Sequence, residues 1–464
     1  MSVKSGIRFH LRQNDGDMTT GGVARHLIVF AAPLLFGNLL QQMYNAVDTI
    51  VVGHNIGKEA LAAVGSTGPV IMLLIAFFQG MASGASVLIS RYFGAGDSDR
   101  LEDAVHTAML LAVIIGAALS VIGVTFTPTL LRWMKTPDDM IEGARLYLRI
   151  YFAGLIGLTV YNMGSGVLQA VGNARFPLFF LIISAGINTA GDLLLIVVFK
   201  MGVEGAAYAT IFAQAISAVL VCAVLMKSKR GYRLVPKRLR LGKMLTRNIT
   251  ALGLPGAIQG SIVSVSNIMV QKYLNGLGTV AVAGNSAANK LDAFLPLPVQ
   301  VMALAVTTFV AQNIGAGRVD RARRGVRVSM VIGVGVTAAL SAFALIFHDQ
   351  FLGIFAPPDK DVLAAGWQFM RVYAPFSFVL AWTQVMPGAL RGAGDVKVSM
   401  FASIGCFVIL RQVYLAVMTK TRYTIFTVAL GYPATWSLCA AIIMIHYLRT
   451  DWSKFAREKQ PAAK

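Results

Sequence analysis

Gly94-Ala95-Gly96-Asp97-Ser98-Asp99-Arg100 is a short polar turn between two long apolar runs, and it is written twice. Gly315-Ala316-Gly317-Arg318-Val319-Asp320-Arg321 restates it 221 residues later. Working outward at a spacing of 221–222, Pro33 meets Pro255, Gly57 meets Gly278, and Arg149 and Tyr151 meet Arg371 and Tyr373. Gly166-Val167-Leu168 and Gly172-Asn173 meet Gly388-Ala389-Leu390 and Gly394-Asp395. One such match means little, but five landmarks in one order at one offset mark an internal duplication.

The apolar runs around the turn show what is duplicated. A bilayer core takes about 20 apolar residues per helix, and runs of that length recur along the chain. Of the 464 residues 56% are hydrophobic and only 13% charged, against about 25% charged in soluble domains. Spans are expected at about 27–53, 62–90, 104–127, 146–170, 177–199 and 204–226, then at 250–274, 281–310, 326–347, 367–390, 398–418 and 423–447. The first run is too long for a signal peptide and lacks a small-residue cleavage site, so it is expected to stay as a span. The expected fold is an all-α polytopic membrane protein with twelve transmembrane helices in two pseudo-symmetric six-helix lobes. Residues 1–226 form one lobe with a cytoplasmic tail at 1–25, residues 227–247 a basic linker, and residues 248–464 the other lobe. Six spans per half insert both halves the same way up, related by an axis along the membrane normal.

A net charge of +20 would suggest nucleic acid in a soluble protein. Here the basic residues gather in loops, and no soluble module exists to carry that function. Of the 41 Lys and Arg residues, 28 fall on the side of both termini, 9 on the opposite side and 4 within spans. That bias puts both termini in the cytoplasm of a cell inner or plasma membrane. The linker carries nine Lys and Arg and no acid, which suits a topology anchor touching anionic lipid headgroups. Cys222, Cys406 and Cys439 lie in apolar runs, and the six histidines lack metal-ligand spacing. No disulfide framework, cofactor or structural metal is expected. An integral membrane transferase would need His or Asp-rich clusters at the membrane face, and none is present.

Ionised groups inside spans are costly, about 2.5–3.5 kcal/mol on insertion scales, and mark functional candidates. Asp48 has no basic neighbour at helical spacing. Asp192 lies four residues after Asn188, on one helix face, and the pair supplies hard oxygen ligands for Na+ or a shared proton. At the repeat offset Asp48 aligns near Met269 or Val270, and Asp192 with Tyr414. Only the first half carries these acids, so a cation site is expected there. Lys290 and Asp292 are two apart, and share a helix face only if Pro296 and Pro298 break the helix. They are candidates for substrate or gating contacts, with Arg411 as a counter-charge.

Asn45-Ala46-Val47-Asp48-Thr49-Ile50-Val51-Val52-Gly53 resembles the "VDT" signature of the multidrug and toxic compound extrusion (MATE) family. Similar too are Ala60-Leu61-Ala62-Ala63-Val64-Gly65, the paired turns at 94 and 315, and the segments 166–173 and 388–395. The likeness covers roughly residues 25–447. It implies two lobes around a V-shaped cleft, and a monomeric H+ or Na+ antiporter that exports small amphipathic, often cationic, compounds and is not an enzyme. It adds Tyr147, Asn188 and Thr210 to the cation network, with Asn162 as a further member. Some members use acids in the seventh and tenth spans. This chain has Val263 and about Leu380 there, which speaks against a cation site in the second half. A lipid-linked oligosaccharide flippase of the wider superfamily is the alternative. It would favour a cleft lined by several basic residues, and few lie within these spans.

Overall fold

Every regular element of the computed structural model is helical. It describes residues 16–55, 58–134, 136–292, 294–355 and 359–457, without the side chains at 45–50, 52–54, 58–62, 138–139, 291–292, 355 and 456–457. The first half runs α1 (Val23–Asn55), α2 (Lys58–Ala95), α3 (Ser98–Trp133), α4 (Asp138–Ala153), α5 (Leu155–Ala170), α6 (Arg175–Asp192) and α7 (Val203–Lys227). The second half runs α8 (Lys243–Asn275), α9 (Thr279–Asp292), α10 (Leu297–Gly315), α11 (Val319–Ile346), α12 (His348–Phe355), α13 (Lys360–Tyr373), α14 (Val379–Ala393), α15 (Lys397–Ser403), α16 (Arg411–Thr421), α17 (Ile425–Arg449) and α18 (Trp452–Arg457). A π-helix at Leu193–Val198 extends α6, and another at Ile404–Leu410 joins α15 to α16.

Each of the twelve apolar runs falls on one helix or one broken pair. Among the described residues ten uninterrupted stretches are long and apolar enough to cross a bilayer, and α4 with α5, bent by 50°, makes an eleventh. The twelfth run is α13 and α14, broken by a 3-10 turn at Ala374–Phe376 that contains Pro375. Gly154 of the first half and this proline turn occupy equivalent repeat positions, so both halves interrupt their fourth span at the same place. The eighth run is interrupted where its prolines suggested: α9 ends at Asp292 and α10 begins after Pro296. Large apolar side chains such as Val121, Val331 and Leu448 point outward and are exposed, as a hydrocarbon surround allows and water does not.

The halves join along α2 and α8, which run antiparallel with glycines at their closest approaches. A Cβ on Gly84 would lie 2.7 Å from the Ile249 carbonyl oxygen, and one on Gly80 2.8 Å from the Gly256 carbonyl carbon. The Gly80/Gly84 and Gly253/Ala257 pairs are therefore small-xxx-small faces that let two backbones touch. Beyond Ala76 and Gly260 the contact ends. Met72, Val265 and Met269 are exposed there, and nothing lies within 4 Å of where a Cβ on Gly65 or Gly68 would sit. The two halves thus meet at one end and part toward the other, leaving a cleft.

The joined end carries both ends of the described chain. Met18, Val23 and Leu27 share one buried cluster with Val306, Val326 and Ala389 of the second half and with Trp452 of α18. The duplicated turns lie at this end. Gly96 and Gly317 take the same left-handed φ, 69° and 73°, which only glycine adopts without strain. Asp97 then caps α3 by accepting from the Arg100 backbone N–H at 3.1 Å. Arg318 stands in its place in the second copy and provides no side-chain cap. The linker folds back onto α3, where Arg238 and Arg240 meet Glu102 and Asp103 at 2.8 and 2.7 Å. His106 accepts from the Val235 N–H at 2.9 Å.

Candidate functional site

The fifth span of the first half is where buried polar chemistry collects. Gly191 brings α6 against α7, with a Cβ at that position only 3.0 Å from the Ala209 Cβ. That approach sets Asn188, buried on α6, beside Thr210 of α7, with 3.3 Å between the amide nitrogen and the hydroxyl. Turning the amide satisfies all its neighbours: the nitrogen then donates to the Asp192 carboxylate at 2.9 Å and the Tyr44 hydroxyl at 3.2 Å, and the oxygen accepts from the Thr210 N–H at 3.2 Å. The i, i+4 spacing thus brings Asn188 and Asp192 together, and Asp192 is fully buried. The π-helix starts at the next residue. Such turns widen the helix and recur at functional sites.

Beside this cluster is a cavity of about 30 Å³ lined by Gln41, Tyr44, Tyr161, Ser184, Thr210 and Gln214 among others. It has room for a water or a small ion. Gln41, Tyr44, Tyr161 and Gln214 were not among the residues singled out from the sequence. A signal for two of them was present: Gln41, Tyr44 and Asp48 stand at i, i+3 and i+7, one helix face. Asp48 lies on α1, and its side chain is outside the described residues. Tyr147 is buried in a cluster with Ile196, Ala206 and Ala207, stacked on Tyr151 at 6.4 Å. Asn162 donates to the Leu158 carbonyl of its own helix.

The second half differs at the equivalent positions. Tyr414, aligned with Asp192, donates to the Thr427 carbonyl at 3.1 Å, and Leu380 is buried in an apolar cluster. Arg411 is only 3% exposed. Its guanidinium donates to Thr435 at 3.0 Å and Asn267 at 3.4 Å, and lies over the Tyr432 and Phe407 rings. Among the described residues it forms no ion pair with an acid. The expected counter-charge, Asp292, has its side chain outside the described residues, and Lys290 is exposed at the end of α9. No three His, Cys, Asp or Glu side chains of the described residues converge. The donors around Asp192 are hydroxyl, amide and carboxylate oxygens, which suit H+ or Na+ rather than a transition metal.

The MatE family model matches the chain twice, at residues 33–194 and 255–417, the second match starting 222 residues after the first. "Probable multidrug resistance protein YoeA" of Bacillus subtilis is 30% identical over 443 residues, 93% of this chain and 95% of that one. A "FAD transporter" of Shewanella oneidensis is 26% identical over 360 residues, 74% of this chain and 76% of that one. Among solved structures, a chain described as the outward-facing conformation of a multidrug resistance MATE family transporter of the MOP superfamily superposes with a TM-score of 0.88. It is 21% identical, with 96% of this chain and 99% of that one covered.

Proposed function

The chain belongs to the MatE family of multidrug and toxic compound extrusion transporters, and from that premise we propose that it is a cation-coupled antiporter exporting amphipathic, often cationic, compounds. The observation that carries the coupling half of this reading is the buried Asn188–Asp192–Thr210 cluster beside a small polar cavity in the first half. A carboxylate buried among apolar helices is neutralised by a proton or by Na+, and the two ions compete for it. Asp48 completes the site from the α1 face that already presents Gln41 and Tyr44. Tyr147 supports it from the adjoining cluster. Export then proceeds as the lobes, residues 1–226 and 248–464, rock about the glycine seam between α2 and α8, with 227–247 as their tether. The protein acts as a monomer in the inner or plasma membrane, in contact with its lipids and with no cofactor beyond the coupling ion.

Arg411 favours a second reading of the substrate. Gly253, Gly260 and Asn267 follow one another at seven-residue steps, so the face of α8 that touches α2 continues past the seam into the cleft wall at Asn267. A buried guanidinium held one residue behind that wall would accept a carboxylate or phosphate on the cargo. Such a group is also present in a lipid-linked oligosaccharide.

Cells lacking their own pumps and expressing this protein should tolerate cationic dyes at about tenfold higher concentration, a shift of about 1.4 kcal/mol in steady-state partitioning. An unchanged tolerance with the protein present in the membrane, together with export of an anionic fluorophore, would shift the substrate class to the second reading.

Orientation has its own test. Single cysteines placed in 229–243 should react with impermeant maleimide only from the cytoplasmic side, because 28 of the 41 basic residues lie on that side. Reaction from outside would reverse the topology.

A further inference from the structure

The polar tail before α1 does not hang free. Residues 16–21 pass between the two halves at their joined end, and the second half grips them almost entirely through backbone groups. Gln312, with no exposed surface, uses both ends of its amide. Its amide oxygen accepts from the Met18 N–H at 2.9 Å, and its amide nitrogen donates to the Gly16 carbonyl at 3.3 Å and to the Ala170 carbonyl of the first half at 2.9 Å. Asn313 donates to the Met18 carbonyl at 3.3 Å. Arg318 donates to the Thr19 carbonyl at 2.6 Å, and Arg321 to those of Met18, Thr20 and Gly21 at 3.1, 2.7 and 2.8 Å. The segment holds an open shape because the Asp17 carboxylate accepts from the Thr19 N–H and hydroxyl at 2.8 and 2.6 Å, and Gly21 sits at φ 74°. Asx turns and left-handed glycines of this kind keep a chain out of helix.

The duplication shows how this grip arose. In the first copy of the turn Arg100 pairs with Asp97 at 3.4 Å. In the second copy Arg318 replaces that aspartate, so Arg321 loses its local acid and both guanidinium groups turn to the tail carbonyls. The stretch equivalent to the tail, 237–242, is held quite differently. There Glu102 and Asp103 grip the Arg238 and Arg240 side chains, and Thr107 meets the backbone, its hydroxyl donating to the Arg240 carbonyl at 3.2 Å and accepting from the Gly242 N–H at 3.3 Å. The aligned positions to those acids are Arg323 and Arg324. Both equivalent stretches are tied across the halves, but the tail before α1 is held through the carbonyls of Gly16, Met18, Thr19, Thr20 and Gly21 by four side chains of the second half.

We propose that residues 16–21 are a releasable strap that locks the terminus-bearing end shut, with Gln312 as the clasp. Gln312 cannot keep both the Ala170 carbonyl and the tail when the halves part at this end, so opening there requires the strap to leave α10 and α11. The proposal rests on the alternating-access reading above, and its first test needs no transport.

Met18 is buried, so Met18→Cys is a reporter of release. Cys406 and Cys439 are buried and Cys222 is partly so; with Cys222→Ala, and a control lacking Met18→Cys, labelling in lipid vesicles reads the strap. Gln312→Glu removes the amide donors while keeping the shape, and Arg321→Ala removes the bonds to three carbonyls. Each should speed labelling of Met18→Cys by about tenfold, the effect of losing one buried hydrogen-bond set. Arg321→Lys, which keeps the charge, should fall between. Unchanged labelling in well-folded, monodisperse variants overturns the proposal. A second arm joins Thr19→Cys to Arg318→Cys with a short reducible bifunctional reagent. Joining should stop export and reduction should restore it; export that survives joining shows a static tether and overturns the strap. If the unjoined pair does not export at all, the transport reading has failed, and the labelling arm still decides the strap.

Discussion

Asp192→Asn should abolish gradient-driven export, lowering accumulation against a gradient by about 100-fold, near the upper end of ordinary coupling energies. The substituted side chain is permanently in the neutral state that the proton or sodium form only visits, so ion binding no longer biases the halves. Fold and substrate binding should survive, because the new amide oxygen can still accept from the Asn188 amide that meets Asp192 at 2.9 Å. Asp48→Asn should behave alike. Thr210→Val, which removes a hydroxyl that itself donates to the Ala206 carbonyl at 2.9 Å, should weaken coupling only a few-fold. The readout is dye transport in vesicles alongside equilibrium dye binding. Wild-type transport by both aspartate variants would put the coupling site elsewhere and make Asp292 the leading acid.

The second large effect is steric. Gly84→Val adds bulk where the Gly253 and Ile249 backbones already touch. Overpacking of that kind costs about 1–3 kcal/mol, enough to shift a two-state equilibrium by about 5- to 150-fold away from the joined end. Export should fall by at least about tenfold while the protein still inserts and binds dye. Gly65→Val on the same helix meets open space and should leave export near the wild-type rate. Equal export by the two variants would mean that close approach of α2 and α8 is not part of the cycle.

What was legible in the sequence is what local physics dictates. Hydrophobic runs located the ten membrane-length stretches and the bent α4–α5 pair, and Pro296 gave the break between α9 and α10. Several of the landmarks that located the duplication are turn glycines, such as Gly96 and Gly317, whose left-handed φ makes them hard to replace. The Asn188–Asp192 pairing followed from a four-residue spacing. Less visible were contacts that only tertiary packing creates. The tail at 16–21 reads as polar and unstructured, because its partners lie about 300 residues away on α10 and α11. Tyr161 and Gln214 each look like ordinary helix polar groups until α1, α6 and α7 converge on one cavity. Arg411 was read from the sequence only as a counter-charge to Asp292, whose side chain lies outside the described residues. Its described partners are Thr435, Asn267 and two aromatic rings, which carry no charge and so leave no trace in a charge count.

Coupling itself is tested most directly with purified protein in lipid vesicles, with a pH gradient and a sodium gradient imposed separately. A cationic dye should move against its own concentration under at least one of the two, and should stop doing so in Asp192→Asn. Dye that merely equilibrates under both gradients, in wild type and variant alike, would contradict a cation-coupled exporter with its coupling site in the first half.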